Sequence, residues 1–198
     1  MNRLVLATRN ANKVREIRQL LGDEGIVLQT LNDYPAVGEI QEQGETFEEN
    51  ALIKGRTVFR AVGLPTLADD SGIEVFSLDM QPGLLSARYA GPNATDRANN
   101  KRLLEELQGA PEHRREAQFH CVLAFVAGSF ERVVDGTCLG TIVFEPRGAN
   151  GFGYDPLFRP VGYGQTFGEL PADVKNGISH RARALRKMVP ILIEYFGR

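Results

Sequence analysis

The chain has 198 residues, 42% hydrophobic and 24% charged, with a formal net charge of −2. That length suits one domain or two intimately packed lobes without a separable linker, and the slightly acidic balance gives no reason to expect a nucleic-acid partner, which would favour a basic patch. Met1 to Ala7 is too short for the apolar core of a secretory signal and no run approaches the roughly 18 apolar residues of a membrane span, so a cytoplasmic protein without a membrane partner is expected.

Leu4-Val5-Leu6-Ala7 is a short apolar run that reads as a buried strand. Thr8 to Lys13 is polar, and Val14, Ile17, Leu20 and Leu21 follow at helical spacing as far as Gly22, so the polar stretch is a strand-to-helix turn. Asp33 to Gly44, acidic and carrying Pro35 and Gly38, reads as a loop. Thr46 opens a helix with a capping box whose second member is Glu49. Phe47, Ala51, Val58 and Val62 form its apolar stripe, and Gly63 with Pro65 ends it. Thr66 to Ala68 predicts a strand, Asp69-Asp70-Ser71-Gly72 a polar turn, and Ile73 to Leu78 another strand.

Pro82 to Gly91 reads as a loop, and Thr95 starts a helix carrying Ala98, Leu103, Leu104 and Leu107. Phe119 to Val126 alternates, with Phe119, Cys121, Leu123 and Phe125 on one face. Gly128-Ser129 then turns the chain so that Arg132 to Val143 returns as an antiparallel partner. Cys121 and Cys138 lie in these strand-like runs and read as buried thiols, not a disulfide. Gly148 to Gly153 is a glycine-rich loop leading into Tyr154-Asp155-Pro156, and the last helix starts near Ser179 with Ala182, Leu185, Val189 and Leu192 inward. Strands alternating with helices, plus one hairpin, argue an α/β fold with a mixed sheet.

The first turn offers chemistry because a helix N-terminus carries free N–H groups and partial positive charge, which suit phosphate. Lys13 adds a formal charge there, and Thr8 and Asn10 add side-chain hydrogen bonds, although no Walker A pattern is present. Glu42, Glu45, Glu48 and Glu49 crowd the start of the Thr46 helix, where they also simply complement its dipole. Asp69-Asp70 is a sharper signal, since adjacent carboxylates repel unless a cation lies near, and Mg²⁺ on phosphates takes one or two protein carboxylates. Gly151-Phe152-Gly153-Tyr154-Asp155 combines backbone freedom with aromatic faces, as a binding loop or a tight turn would. The three histidines lack zinc-ligand spacing.

The order of these signals is more specific than any one of them. T-x-N-x-x-K from Thr8 to Lys13 is followed by E-x-G-x-T-F-x-E-N-A-x-x-K from Glu42 to Lys54 and A-D-D-S-G from Ala68 to Gly72. Then come P-G-x-x-S-A-R-Y-A-G from Pro82 to Gly91, Phe119-His120-Cys121, G-F-G-Y-D-P from Gly151 to Pro156, and K-x-x-I-S-H-R from Lys175 to Arg181. Over nearly its whole length the chain resembles the inosine/xanthosine triphosphate pyrophosphatase family. The resemblance implies an elongated mixed sheet with flanking helices, two lobes around an active-site cleft, a homodimer, a Mg²⁺ requirement, and hydrolysis of deaminated purine nucleoside triphosphates to monophosphate and pyrophosphate.

It also implies roles. Thr8, Arg9, Asn10, Ala11, Asn12, Lys13 and Lys54 would hold the triphosphate; Glu42 and Asp70 would hold the metal, with Asp70 also the base for the attacking water. Ser71 would touch the nucleotide, Phe152, Gly153, Tyr154 and Asp155 would stack and orient base and sugar, and Lys175, His180 and Arg181 would close on the base. Arg181 has donors only, so it would pair with the oxygen at purine position six and not with adenine's amino group. Asn12 stands where the family commonly has glycine, a substitution tolerable even at positive φ. The alternatives are a phosphatase releasing orthophosphate on the same scaffold and a nucleotide-binding module without turnover.

Overall fold

The computed structural model describes residues 2–22 and 25–197. In chain order it contains β1 (Asn2–Leu6), α1 (Ala11–Leu21), β2 (Ile26–Thr30), α2 (Phe47–Val62), β3 (Thr66–Val75), α3 (Asp96–Glu106), β4 (Glu116–Ala127), β5 (Phe130–Ile142), β6 (Phe158–Pro160), α4 (Ala172–Ile178) and α5 (His180–Phe196). The strands form one sheet in the order β2-β1-β3-β4-β5-β6. β1 runs parallel to β2 and β3, while β6 is antiparallel to β5, so the sheet is mixed and the fold is α/β.

Two compact units partition the chain. The first comprises Met1–Asp70, Cys121–Gly136 and Arg181–Arg198; the second comprises Ser71–His120 and Thr137–His180. In the first unit Leu4 to Leu6 of β1 are apolar because both faces of the strand are covered there, whereas Asn2 and Arg3 before them are exposed. Leu4 and Leu6 enter a cluster with Ile17 of α1 and Leu185 and Leu192 of α5, whereas Val5 and Ala7 enter another with Val58 of α2 and Ala68. The two-residue period of a strand makes this division automatic. Gly55 lets α2 lie close against the sheet, since a Cβ there would stand 2.9 Å from Val126 Cγ2. In the second unit Leu103 and Leu107, from α3 and its end, pack with Phe119, Tyr154, Phe158 and Phe167.

The caps explain where helices begin. Thr46 Oγ1 accepts from Glu49 N at 3.1 Å, as its sequence position predicts, but the Glu49 carboxylate reaches back to Glu45 N at 2.7 Å, one residue before the cap. Thr95 likewise accepts from Ala98 N at 3.2 Å. The main departure from the sequence reading is β3, which continues unbroken through Asp69-Asp70-Ser71-Gly72 where a turn is expected, and gives way to a 3₁₀ turn at Phe76–Leu78. A polar stretch survives inside a buried strand because its carboxylates meet cations, as the site geometry makes plain. Asn12 lies in the first turn of α1 and not at positive φ, so the position makes no conformational demand for glycine.

Candidate active site

β1 delivers the chain to a turn that α1 closes. Asn10 caps the helix, its Oδ1 accepting from Asn12 N at 3.0 Å and Lys13 N at 3.2 Å, while Thr8 Oγ1 accepts from Asn10 N at 3.1 Å. Ala11 is the first residue of the helix and exposed. Arg9 does not join this turn's side chains; its guanidinium donates to the Val37 carbonyl. The turn is thus built from the residues expected, with Thr8 and Asn10 acting on backbone N–H groups and Lys13 supplying the charge.

Lys13 points at β3. Its Nζ donates to Asp69 Oδ1 at 2.5 Å. Lys54, from α2, donates to the Asp69 carbonyl at 3.0 Å and pairs with Glu42 Oε1 at 3.1 Å and Asp70 Oδ1 at 3.5 Å. The other side of the Asp69 carboxylate is taken by Arg181 Nε at 2.7 Å and by the Cys121 thiol at 3.4 Å. Arg181 also donates to Glu16 of α1, and the residue is only 1% exposed. Asp69 is therefore the hub of a buried network, with donors from Lys13, Cys121 and Arg181 on its carboxylate.

The two adjacent aspartates titrate in opposite directions. Burial would raise the Asp69 carboxyl, but the Arg181 guanidinium and Lys13 ammonium outweigh it and hold the group well below the usual carboxylate range. At Asp70 burial prevails over the attraction of Lys54 and Lys13, with Glu42 and Asp69 adding repulsion, so its carboxyl is pushed up. Lys54 stays charged: burial favours its neutral form, yet Asp70, Glu42 and Asp69 together push its pKa up. Burial and the Asp69 charge push the Cys121 thiol well up, which makes it an inert interior group.

The second unit carries the aromatic loop. Asp155 Oδ2 accepts from Phe152 N at 2.8 Å and from Lys175 Nζ at 2.5 Å, and that ammonium lies 5.0 Å from the Phe152 ring centroid. Phe152 is half-buried, and Ser71, also half-buried, begins this unit on β3. Gly153 is held through its backbone by α3, with N–H to Asp96 Oδ2 at 2.7 Å and carbonyl from Asn100 Nδ2 at 3.0 Å.

The structure gives three of the expected residues partners within the protein. Tyr154 is not a stacking face: it is buried, belongs to the core cluster, and donates its hydroxyl to the Ser86 carbonyl at 2.8 Å. His180 is buried with its imidazole stacked on Phe119 at 4.6 Å. Arg181 does not present its fork to solvent, because two buried carboxylates, Asp69 and Glu16, capture it. The roles of Asp96, Asn100 and Glu16 were missed in the sequence. Asp96 and Asn100 stand four apart on a helix, which puts them on one face, but nothing in the sequence says which loop that face meets.

Among the described residues no three or more His, Cys, Asp or Glu side chains gather as a metal cage. Glu42 and Asp70 do converge on one cation, Lys54. Two carboxylate donors suit Mg²⁺, which keeps several waters and takes further oxygens from substrate phosphates. The donor set fits that ion.

Comparison with known proteins adds sequence-wide support. The model of the Ham1 family matches residues 4–191. A dITP/XTP pyrophosphatase of Geobacter sulfurreducens is 49% identical over 186 residues, covering 93% of this chain and 94% of that one. One from Streptomyces avermitilis is 46% identical with 100% of both chains covered. A solved HAM1 protein from Coxiella burnetii superposes with a TM-score of 0.89 at 42% identity, over 98% of this chain and 100% of that one. The Staphylococcus aureus Ham1 protein gives 0.87 at 35% identity, over 96% and 98%.

Proposed function

Because this chain belongs to the Ham1 family, we propose that it hydrolyses deaminated purine nucleoside triphosphates (ITP, dITP and XTP) to the monophosphate and pyrophosphate, removing them from the nucleotide pool. The observation that carries the reading is the charged cluster of the first unit, where Lys13 and Lys54 stand beside Asp69 while Asp70 and Glu42 face Lys54. A polyphosphate meets two ammonium groups there, each able to make charge-assisted hydrogen bonds to its oxygens. The Thr8–Lys13 turn adds the positive end of α1.

Asp70 is the base of the proposed reaction. Its carboxyl is raised by burial, which suits a group that must take a proton from water near neutral pH. Lys54 keeps that carboxylate available by opposing its protonation. Glu42 and Asp70 would hold Mg²⁺, which would supply charge compensation to the phosphate oxygens. Asp69, already bound by two cations, is held ionised and fixes their positions. In the second unit the Phe152 ring offers a stacking face to the purine, and Lys175 and Asp155 keep that ring in place. The family resemblance also supports a cytoplasmic homodimer; no helix among the described residues is long and apolar enough to cross a membrane.

The test is product analysis over a panel of nucleoside triphosphates, with Mg²⁺ and with a chelator. Pyrophosphate and monophosphate from ITP and XTP, abolished by the chelator and restored by Mg²⁺, are expected. Orthophosphate as the primary product would replace this reading with a phosphatase, and binding without turnover would replace it with a non-catalytic module.

A further inference from the structure

One face of α3 grips a single residue of the aromatic loop from both sides. Asp96 and Asn100 lie four apart, hence one above the other on the helix. Between them they take the N–H of Gly153 at 2.7 Å and its carbonyl at 3.0 Å. These two groups belong to the peptide planes on either side of Gly153, so both planes are fixed. Gly153 has φ +60°, a conformation that a side chain would resist, and the grip holds the loop in it. Upstream, Phe152 N is fixed by Asp155. With the peptide planes before and after Phe152 both tied, the direction of its Cα–Cβ bond, from which the ring projects, is set.

The rest of α3 does not need this grip to fold or to dock. Thr95 caps the helix, Leu103 is wholly buried, and Asn99 binds Ala90 N at 2.8 Å and the Ala87 carbonyl at 3.1 Å. Asn100 looks poorly chosen for stability alone. It is only 8% exposed, and its Oδ1 is buried with no hydrogen-bond partner among the described residues. An unmet buried acceptor is destabilising, and an apolar side chain of similar size would avoid it. What asparagine provides that an apolar residue lacks is the Nδ2 donor to Gly153.

We infer that Asp96 and Asn100 are positioning residues for nucleobase recognition, acting through Gly153 to aim the Phe152 ring. The inference rests on the proposed pyrophosphatase reading, in which Phe152 stacks the purine. Neither residue touches substrate; each acts on the base and leaves phosphate recognition alone.

The experiment compares Asp96→Ala, Asp96→Asn and Asn100→Ala with wild type. It measures kcat and KM for ITP, inhibition by inosine monophosphate and by inorganic tripolyphosphate, and thermal stability. Asp96→Ala and Asn100→Ala should raise KM for ITP and the inhibition constant of inosine monophosphate by up to about tenfold, the scale of one hydrogen bond. kcat and tripolyphosphate inhibition should stay within about twofold. Asp96→Asn keeps an oxygen acceptor for Gly153 N–H and should remain near wild type. The inference is overturned if both inhibitors weaken together, if Asp96→Asn is as impaired as Asp96→Ala, or if neither alanine variant changes KM. Absence of ITP turnover in wild type is a separate result and defeats the underlying reading instead.

Discussion

Replacing Arg181 by methionine keeps a long side chain in the same space and deletes its charge. Two carboxylates feel the loss: Asp69, bonded to Nε at 2.7 Å and Nη2 at 3.4 Å, and Glu16, bonded to Nη1. Breaking a buried pair by removing one partner costs about 3–5 kcal/mol. Asp69 retains Lys13, which places the expected loss near the lower end, about 3 kcal/mol. Domains have only about 5–15 kcal/mol of stability in total, so urea unfolding at pH 7 will register it easily.

The loss should depend on pH. In wild type the folded pKa of Asp69 is depressed, so the folded state binds fewer protons than the unfolded one around and below pH 4. The stabilisation is present above the unfolded carboxylate pKa and disappears as pH falls through the folded value. In Arg181→Met the acid loss should begin at higher pH, because one of the two holding cations is gone. Adding Asp69→Asn to Arg181→Met should recover part of the stability, since removing both partners is far less harmful than removing one. A loss below about 1 kcal/mol, together with a changed ratio of ITP to ATP turnover, would falsify the buried-hub account and restore Arg181 as a reader of the base.

Asp70→Asn preserves shape but removes the proposed proton acceptor, so kcat for ITP should fall by at least about two orders of magnitude. In chelator, the same variant should lose the part of wild-type stability that falls as pH rises: the raised Asp70 carboxyl binds its proton more tightly when folded, so its contribution declines from the ordinary carboxylate pKa up through the folded one, as calorimetry from pH 4 to 7 would show. Lys54→Ala should raise KM for ITP and XTP by a similar factor of about ten, leaving base preference unchanged in competition assays.

The sequence made the helix starts and the first strand-to-helix turn legible because their signals are local. Thr46, Thr95 and the Thr8–Lys13 stretch each act on groups within a few residues. β2, β6 and α4 were not legible: β2 is half-exposed without clean alternation, β6 has three residues, and α4 is a helix of seven containing Gly177. The Asp69–Gly72 stretch looked like a turn because nothing nearby in sequence explains two carboxylates in a strand. Their explanation comes from Lys13, Lys54 and Arg181, up to 112 residues away. The partners of Arg181 were hidden for the same reason, since its type says what it can pair with but not which acid reaches it. Phe152, Asp155 and Lys175, which stand in two separate motifs, lie together in the second unit.

Engineers seeking thermostable variants commonly replace helical glycines with alanine, which gains up to about 1 kcal/mol where space allows. Gly55 would head such a list and should be struck from it. A methyl there would need Val126 to yield, since the spacing is 2.9 Å, and overpacking of that kind costs about 1–3 kcal/mol. The neighbouring residue is Lys54, whose reach to the Asp69 carbonyl depends on how closely α2 lies against the sheet. Gly55→Ala is therefore expected to lower Tm and raise KM for ITP together, measurable in one preparation; a higher Tm with unchanged KM would show that Val126 accommodates the methyl. Compactness at this one helix position is a functional specification, and a design program that scores helix propensity alone would erase it.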